Sequence, residues 1–338
     1  MKKLLLGAIG ALLLGGGVAS LASGMFSVGT SAGLCQADDE IPSALRTAVE
    51  KEASTFAEAA FGAHPESTLL MMTKEVQSTT SPKDYSAQLA APLRQYGPFT
   101  DVRIARTYLL QASGTSKEAR AICGPVSATN WVSVEVKPGL TQAHVMVSAK
   151  TRNNDWALTL WLLPEDKEWR VQYVNLSIST VVGYSPDDLL RLAQQQRDAG
   201  HMFNAAMLFV GAQAIVERGP AFQLGIAQTI HSEASKFSAP SELQGKPPFV
   251  WKMKGAEYKV SGITVLGVDH KLGLTFDLPL EKWSGNEDAN RRNRAFIDAF
   301  IATHADYAPT FGFLNARAQK PDGSGGFATV YEAGKGYD

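Results

Sequence analysis

Few residues in this chain stand where their types and spacing could do chemistry. Gly29-Thr30-Ser31-Ala32-Gly33 has the G-x-S-x-G spacing of a nucleophile elbow, which holds a serine on a sharp strand-to-helix turn. That turn needs a strand before it and a helix after it, and the small-residue run around Ser31 offers neither. The six histidines, His64, His144, His201, His231, His270 and His304, are scattered along the chain. None stands at ligand spacing from another His, Cys, Asp or Glu on a common face. H-E-x-x-H, a phosphate loop ending in Gly-Lys-Ser/Thr, an EF-hand loop and a dinucleotide fingerprint are all missing from the sequence. His144 is the one histidine on a candidate strand. It faces away from Val145 and Val147, has no assignable acidic partner, and reads as a surface or sheet-face residue. The pattern leans away from catalysis and calls for no metal or cofactor.

The two cysteines, Cys35 and Cys123, have no C-x-x-C spacing, so a redox active site is not expected. In an exported chain an even count suggests a disulfide, here closing a loop of nearly ninety residues. Two unpaired thiols are the competing reading. Export itself is read from Lys2-Lys3, the apolar run Leu4 to Leu14 and the small residues through Ala22 and Gly24. Residues 1–24 are the expected signal, with cleavage as late as Ala32 also compatible. The alternative is an uncleaved anchor, because Leu4 to Ala22 is close to the length that spans a bilayer. Location is therefore periplasmic or secreted, with membrane attachment only if the segment stays on.

At 338 residues the chain can hold two or three cores. It is 45% hydrophobic and 19% charged with a net charge of −1. A nucleic-acid partner needs a concentrated basic surface, and none is expected here.

The elements that would position these residues fall into an α+β order. Apolar periodicity predicts helices over Ile41 to Phe61 and Glu66 to Val76, then a third from a Ser81-Pro-x-Asp84 cap to Gly97-Pro98. The period then drops to two. Val102, Ile104 and Tyr108, then Val132, Val134 and Val136, then Val145 and Val147, then Leu158, Leu160 and Leu162, then Trp169 to Ile178 read as antiparallel strands.

Residues 36–183, in this order, resemble the cone-shaped fold of the nuclear transport factor 2 superfamily. Tyr96-Gly97-Pro98-Phe99 with Val102 and Ile104 after it, and the closing Trp169-Arg170-Val171, carry the resemblance. It implies a curved sheet and helices around an apolar pocket, used for catalysis in some members and for binding in others. Enzymes of that superfamily use an acid–base group such as an Asp/His pair inside the cone. Trp131, Trp156, Trp161 and Tyr173 are the pocket-lining candidates, for a small apolar ligand; the competing reading is plain sheet packing.

Residues 184–237 form the longest helical stretch. Ser185, Pro186 and Asp188 make a capped start, Leu189, Leu192 and Ala193 share a face, and Gly200 is a left-handed stop. A second helix carries Met202, Ala205, Phe209 and Ala212, and a third is expected from Phe222 to Phe237. The spacing of Leu189, Leu192, Ala193, Gly200, Ala205, Phe209 and Ala212 resembles one tetratricopeptide repeat, in which small residues let two antiparallel helices approach closely. A single copy without neighbours reads as a structural hairpin docked on adjacent domains, or else as a peptide-binding groove.

A linker over 238–248 leads to a small α+β unit, 249–338, which reads as ββαβ. Tyr258 to Val268 is expected as one strand and Leu272 to Leu280 as the next. Ser284 and Glu287 are expected to cap a helix reaching His304. The function expected from all this is an exported, non-catalytic envelope protein that acts as an interaction or scaffold module, with an envelope protein as partner. A small-molecule binder using the cone pocket is the alternative, and an enzyme of unknown type the third.

Overall fold

The period-two segments after Phe99 do become strands: four of them enter one five-stranded sheet, and Val132–Val136 enters a separate three-stranded one. The computed structural model describes residues 34–111, 119–124 and 130–337. The expected signal segment and the Gly29–Gly33 motif lie outside these. The class is α+β: eight α-helices and four mostly antiparallel sheets among the described residues, none closed into a barrel. The chain divides into two compact units. One comprises residues 34–180 and 215–229, the other 181–214 and 230–337. The three-helix connector expected over 184–237 is thus shared between them.

In the first unit, β1 (Leu34–Ala37) precedes α1 (Ser43–Phe61). A 3-10 turn, Pro65–Met71, and α2 (Lys74–Thr79) replace the single helix expected over 66–76. Thr73 breaks that helix by capping α2, its hydroxyl accepting from the Val76 N–H. The segments α3 (Pro82–Tyr85) and α4 (Ala91–Tyr96) are joined through a π-turn. Strands β2 (Thr100–Gln111), β3 (Ala119–Cys123), β4 (Val132–Val136), β5 (Thr141–Lys150), β6 (Asn154–Glu165) and β7 (Glu168–Val181) follow. The main sheet runs β1-β2-β5-β6-β7. Val145, Val147, Leu158, Leu160 and Val171 face α1, where Val49, Ala53 and Phe56 are buried; Leu45, one turn before Val49, is exposed. The other face carries Tyr108 and Leu110 against Val132, Val134 and Phe222.

In the second unit, α5 (Pro186–Asp198) starts at the capping box expected, with Ser185 and Asp188 bonding each other's backbone N–H. It is followed by α6 (Met202–Val216). Residues 215–229 belong to the first unit, and there the helix expected from Phe222 is overturned at its start: Phe222–Leu224 is β8, paired with β4, and α7 begins only at Gly225, running to Ser235. Burial of the Phe222 ring beside Tyr108 outweighs the local helical pattern.

The rest of the second unit is β9 (Phe249–Met253), β10 (Ala256–Val260), β11 (Gly262–Val268), β12 (Lys271–Pro279), α8 (Asn286–Thr303), β13 (Phe313–Gln319), β14 (Gly326–Glu332) and β15 (Gly336–Tyr337). The single strand expected over 258–268 breaks at Ser261, whose N–H turns to the Asp277 carbonyl. β9 and β10 form a separate two-stranded sheet, and β11-β12-β13-β14-β15 a larger one in which β12 and β13 run parallel. Parallel neighbours need a crossover, and α8 supplies it. Gly285, not Ser284, caps α8, with no side-chain bond.

Candidate functional site

The four pocket candidates do not share one wall. Trp156 and Trp161 are five residues apart on β6, so period two sends them to opposite faces. Trp156 lies on the α1 side against Tyr96 and Phe99, with ring centroids at 4.8 and 5.7 Å, and its Nε1 donates to Thr151 Oγ1 at 3.2 Å. Trp161 lies on the far face with Tyr173, Leu163 and Ala221. Trp131 is half-buried against Gly225, where an added Cβ would meet its ring at 2.6 Å.

On that far face the register aligns Tyr108, His144 and Trp161 across three strands. The His144 ring stacks on Trp161 at 5.4 Å and meets Phe222 at 6.1 Å. The residue expected at a surface or sheet face is on the face predicted, but fully buried, because β4 and β8 cover it. Its Nε2 lies 2.9 Å from the Glu135 carbonyl, which accepts only, so the proton sits on Nε2. Among the described residues nothing partners Nδ1. Burial pushes the ring's pKa down to about 3 despite that hydrogen bond, with the nearby Arg120 charge adding to the fall. A general base works best with a pKa near the working pH. His144 is therefore held neutral and sealed, a poor acid–base group at pH 7.

The same layer buries a cation. Arg218 Nη1 donates to the carbonyls of Ile215 at 2.8 Å and Glu217 at 2.9 Å, and to Ser177 Oγ at 3.2 Å. Burial lowers its pKa to about 10, countered by Glu217, so it stays charged. Next to it Gly219 has φ +78°, and a side chain there would strike the Tyr173 hydroxyl. Arg120 fastens this returning segment by donating to the Pro220 carbonyl at 2.8 Å and the Ser133 carbonyl at 2.9 Å. Arg218 and Arg120, neither of them singled out by sequence, hold the segment before β8 mostly through backbone carbonyls, with Ser177 and Ser133 hydroxyls as further acceptors.

The helical-hairpin residues are placed as packing. Ala205, Ala212 and Leu189 are fully buried, Phe209 stacks on Phe237 at 5.6 Å, Leu192 is half-buried, and Gly200 takes its left-handed turn at φ +83°. Gly211 sits where an added Cβ would be 3.3 Å from Val265 of β11.

A cleft of about 400 Å³ opens in the second unit along β9. Val250, Trp251, Lys252 and Met253 form one wall, Ser241 and Glu242 a second, and Thr303 and His304 at the end of α8 a third. Trp251 is anchored from below: Nε1 donates to the Glu242 carbonyl at 2.7 Å, and its ring stacks on Phe296 and Phe300. His304 packs 4.7 Å from both Phe203 and Phe300, and its Nε2 stands 3.8 Å from Glu242 Oε1, beyond hydrogen-bond length. Burial lowers the His304 pKa, opposed by Glu242 and Asp306. Glu242 accepts from Ser241 Oγ at 3.1 Å and has no lysine or arginine partner among the described residues. A second cleft, about 440 Å³ between β10 and the end of β12, has Lys259 and Glu281 paired at 2.7 Å on its wall.

The cysteine pairing is observed directly. Cys35 of β1 is bonded to Cys123 of β3, with their Cα atoms 5.5 Å apart and a separation of 88 positions in sequence. Among the described residues no helix is long and apolar enough to cross a membrane, and no three His, Cys, Asp or Glu side chains cluster to hold a metal. No family model, curated protein or solved structure matches the chain.

Proposed function

We propose that this is an exported, non-catalytic envelope protein working as an interaction module, and that recognition belongs to the β9 cleft rather than to the helical hairpin. Lys2-Lys3 with the apolar run after it supports export, and a disulfide between β1 and β3 supports an oxidising compartment. The observation that carries the choice of site is the burial of α6. Phe203 through Phe209 are all buried, which supports reading α6 as packing rather than as a recognition surface. The β9 cleft, by contrast, joins a rigid aromatic floor to a half-buried carboxylate lacking a fixed cation.

Capture of envelope proteins by the full chain tests this. Glu242→Arg should abolish capture at unchanged melting temperature, while Gln195→Ala with Arg197→Ala on α5 should leave it intact. The reverse result returns recognition to the hairpin and refutes the assignment.

A further inference from the structure

We propose that the free edge of β9 accepts an extended segment of another protein as an added strand, one carrying a lysine or arginine on the face turned toward Glu242. This names the occupant of the cleft just assigned and rests on that assignment. The geometry starts at the turn. Lys254 and Gly255 have φ of +47° and +76°, the positive pair that a two-residue hairpin turn requires. Met253 and Ala256 flank it as partners, and the pair closing such a turn exchanges both its backbone bonds. Alternation then aims the N–H and C=O of Trp251 and Phe249 at β10, and those of Val250 and Lys252 the other way. Among the described residues β9 has no ladder partner but β10, and none bonds the outward groups of Val250 and Lys252.

The cleft lies on that side. A strand seen face-on shows every second residue, yet four consecutive residues, Val250 to Met253, line the cleft, so it follows the edge. The occupant follows from charge. Pairing with a second copy of β9 in register at Lys252 would set the two Lys252 side chains opposite each other, the repulsion by which edges resist self-association. A different protein avoids it. An incoming strand alternates its side chains between two faces: one meets Trp251, His304 and Glu242, the other lies beside Val250 and Lys252. A basic residue on the first face supplies the cation Glu242 lacks, and β-branched residues on the second suit Val250, which is 53% exposed.

The probe is an acetylated, amidated seven-residue peptide of alternating threonine and valine with one central lysine, added to the purified exported chain labelled with 15N. The expected result is dose-dependent shifts of the Val250 and Lys252 amides. Replacing the peptide lysine by glutamate should weaken binding about tenfold, equivalent to about 1.4 kcal/mol. Val250→Pro deletes one outward N–H without touching the ladder to β10, so its melting should hold while the peptide-induced shifts vanish. Unmoved Val250 and Lys252 amides at millimolar peptide, or equal binding by a peptide with a methylated backbone, would overturn strand addition. If Glu242→Arg ends envelope capture while Val250→Pro leaves it intact, the cleft stands and the added strand falls. If neither variant changes capture, both readings fall.

Discussion

His144 shows how burial decides what a residue type can do. Met146 and His144 alternate with Val145 and Val147, so the face it occupies was readable from period two; that a second layer would cover it was not. Its cover comes from β8, which is distant in sequence. The consequence is a pH dependence of stability. The folded chain keeps His144 neutral down to about pH 3, whereas an unfolded histidine takes up its proton near 6.5. Between those values the unfolded state binds more protons, so stability is complete above the upper value and falls as pH drops through the window, by at most about 1.4 kcal/mol per pH unit. His304 shifts in the same direction. Melting followed from pH 7 to pH 4 should fall less steeply in His144→Gln, whose amide can still donate to the Glu135 carbonyl. Equal slopes in both proteins would show that His144 is not what acid attacks.

Among the elements, those with local signals were legible. The Ser185 box, the Gly200 stop and the alternating strands β5 and β6 stand where the sequence puts them. Those set by distant partners were not. Phe222 to Leu224 reads as helix locally and becomes strand by pairing with Val132 to Val134. β1 and β3 are short and joined by the disulfide, and no periodicity marks them. The spread of the candidate pocket residues was legible and missed, since an odd spacing from Trp156 to Trp161 forbids a shared face. For α6 the structure favours packing over recognition. Ala205→Leu should overpack its crossing and cost about 1–3 kcal/mol. Phe209→Ala should cost about 3–5 kcal/mol by emptying the space beside Phe237. Denaturant unfolding checks both, and wild-type midpoints in the two variants would remove α6 from the core.

At the scale of the whole molecule, the two units are not linear segments of the chain. Residues 215–229 return to the first unit after α5 and much of α6 have been given to the second. The Cys35–Cys123 bond, closing 88 residues, restricts the unfolded chain most of all. The loop-closure relation gives about 4–5 kcal/mol for a loop of this size. The double variant Cys35→Ala, Cys123→Ala should lose up to that amount in denaturant unfolding, and alkylation of the native protein without reductant should label no thiol. What such a frame is for is answered most directly by contact mapping in intact cells. With a photo-crosslinking residue placed at Thr303, on the rim of the β9 cleft, or at Gln195, on the outer face of α5, irradiation should give a discrete adduct from Thr303. That adduct should disappear when Glu242→Arg is added, and Gln195 should give none. An adduct from Gln195 alone, or one from Thr303 that survives Glu242→Arg, would contradict recognition through the cleft.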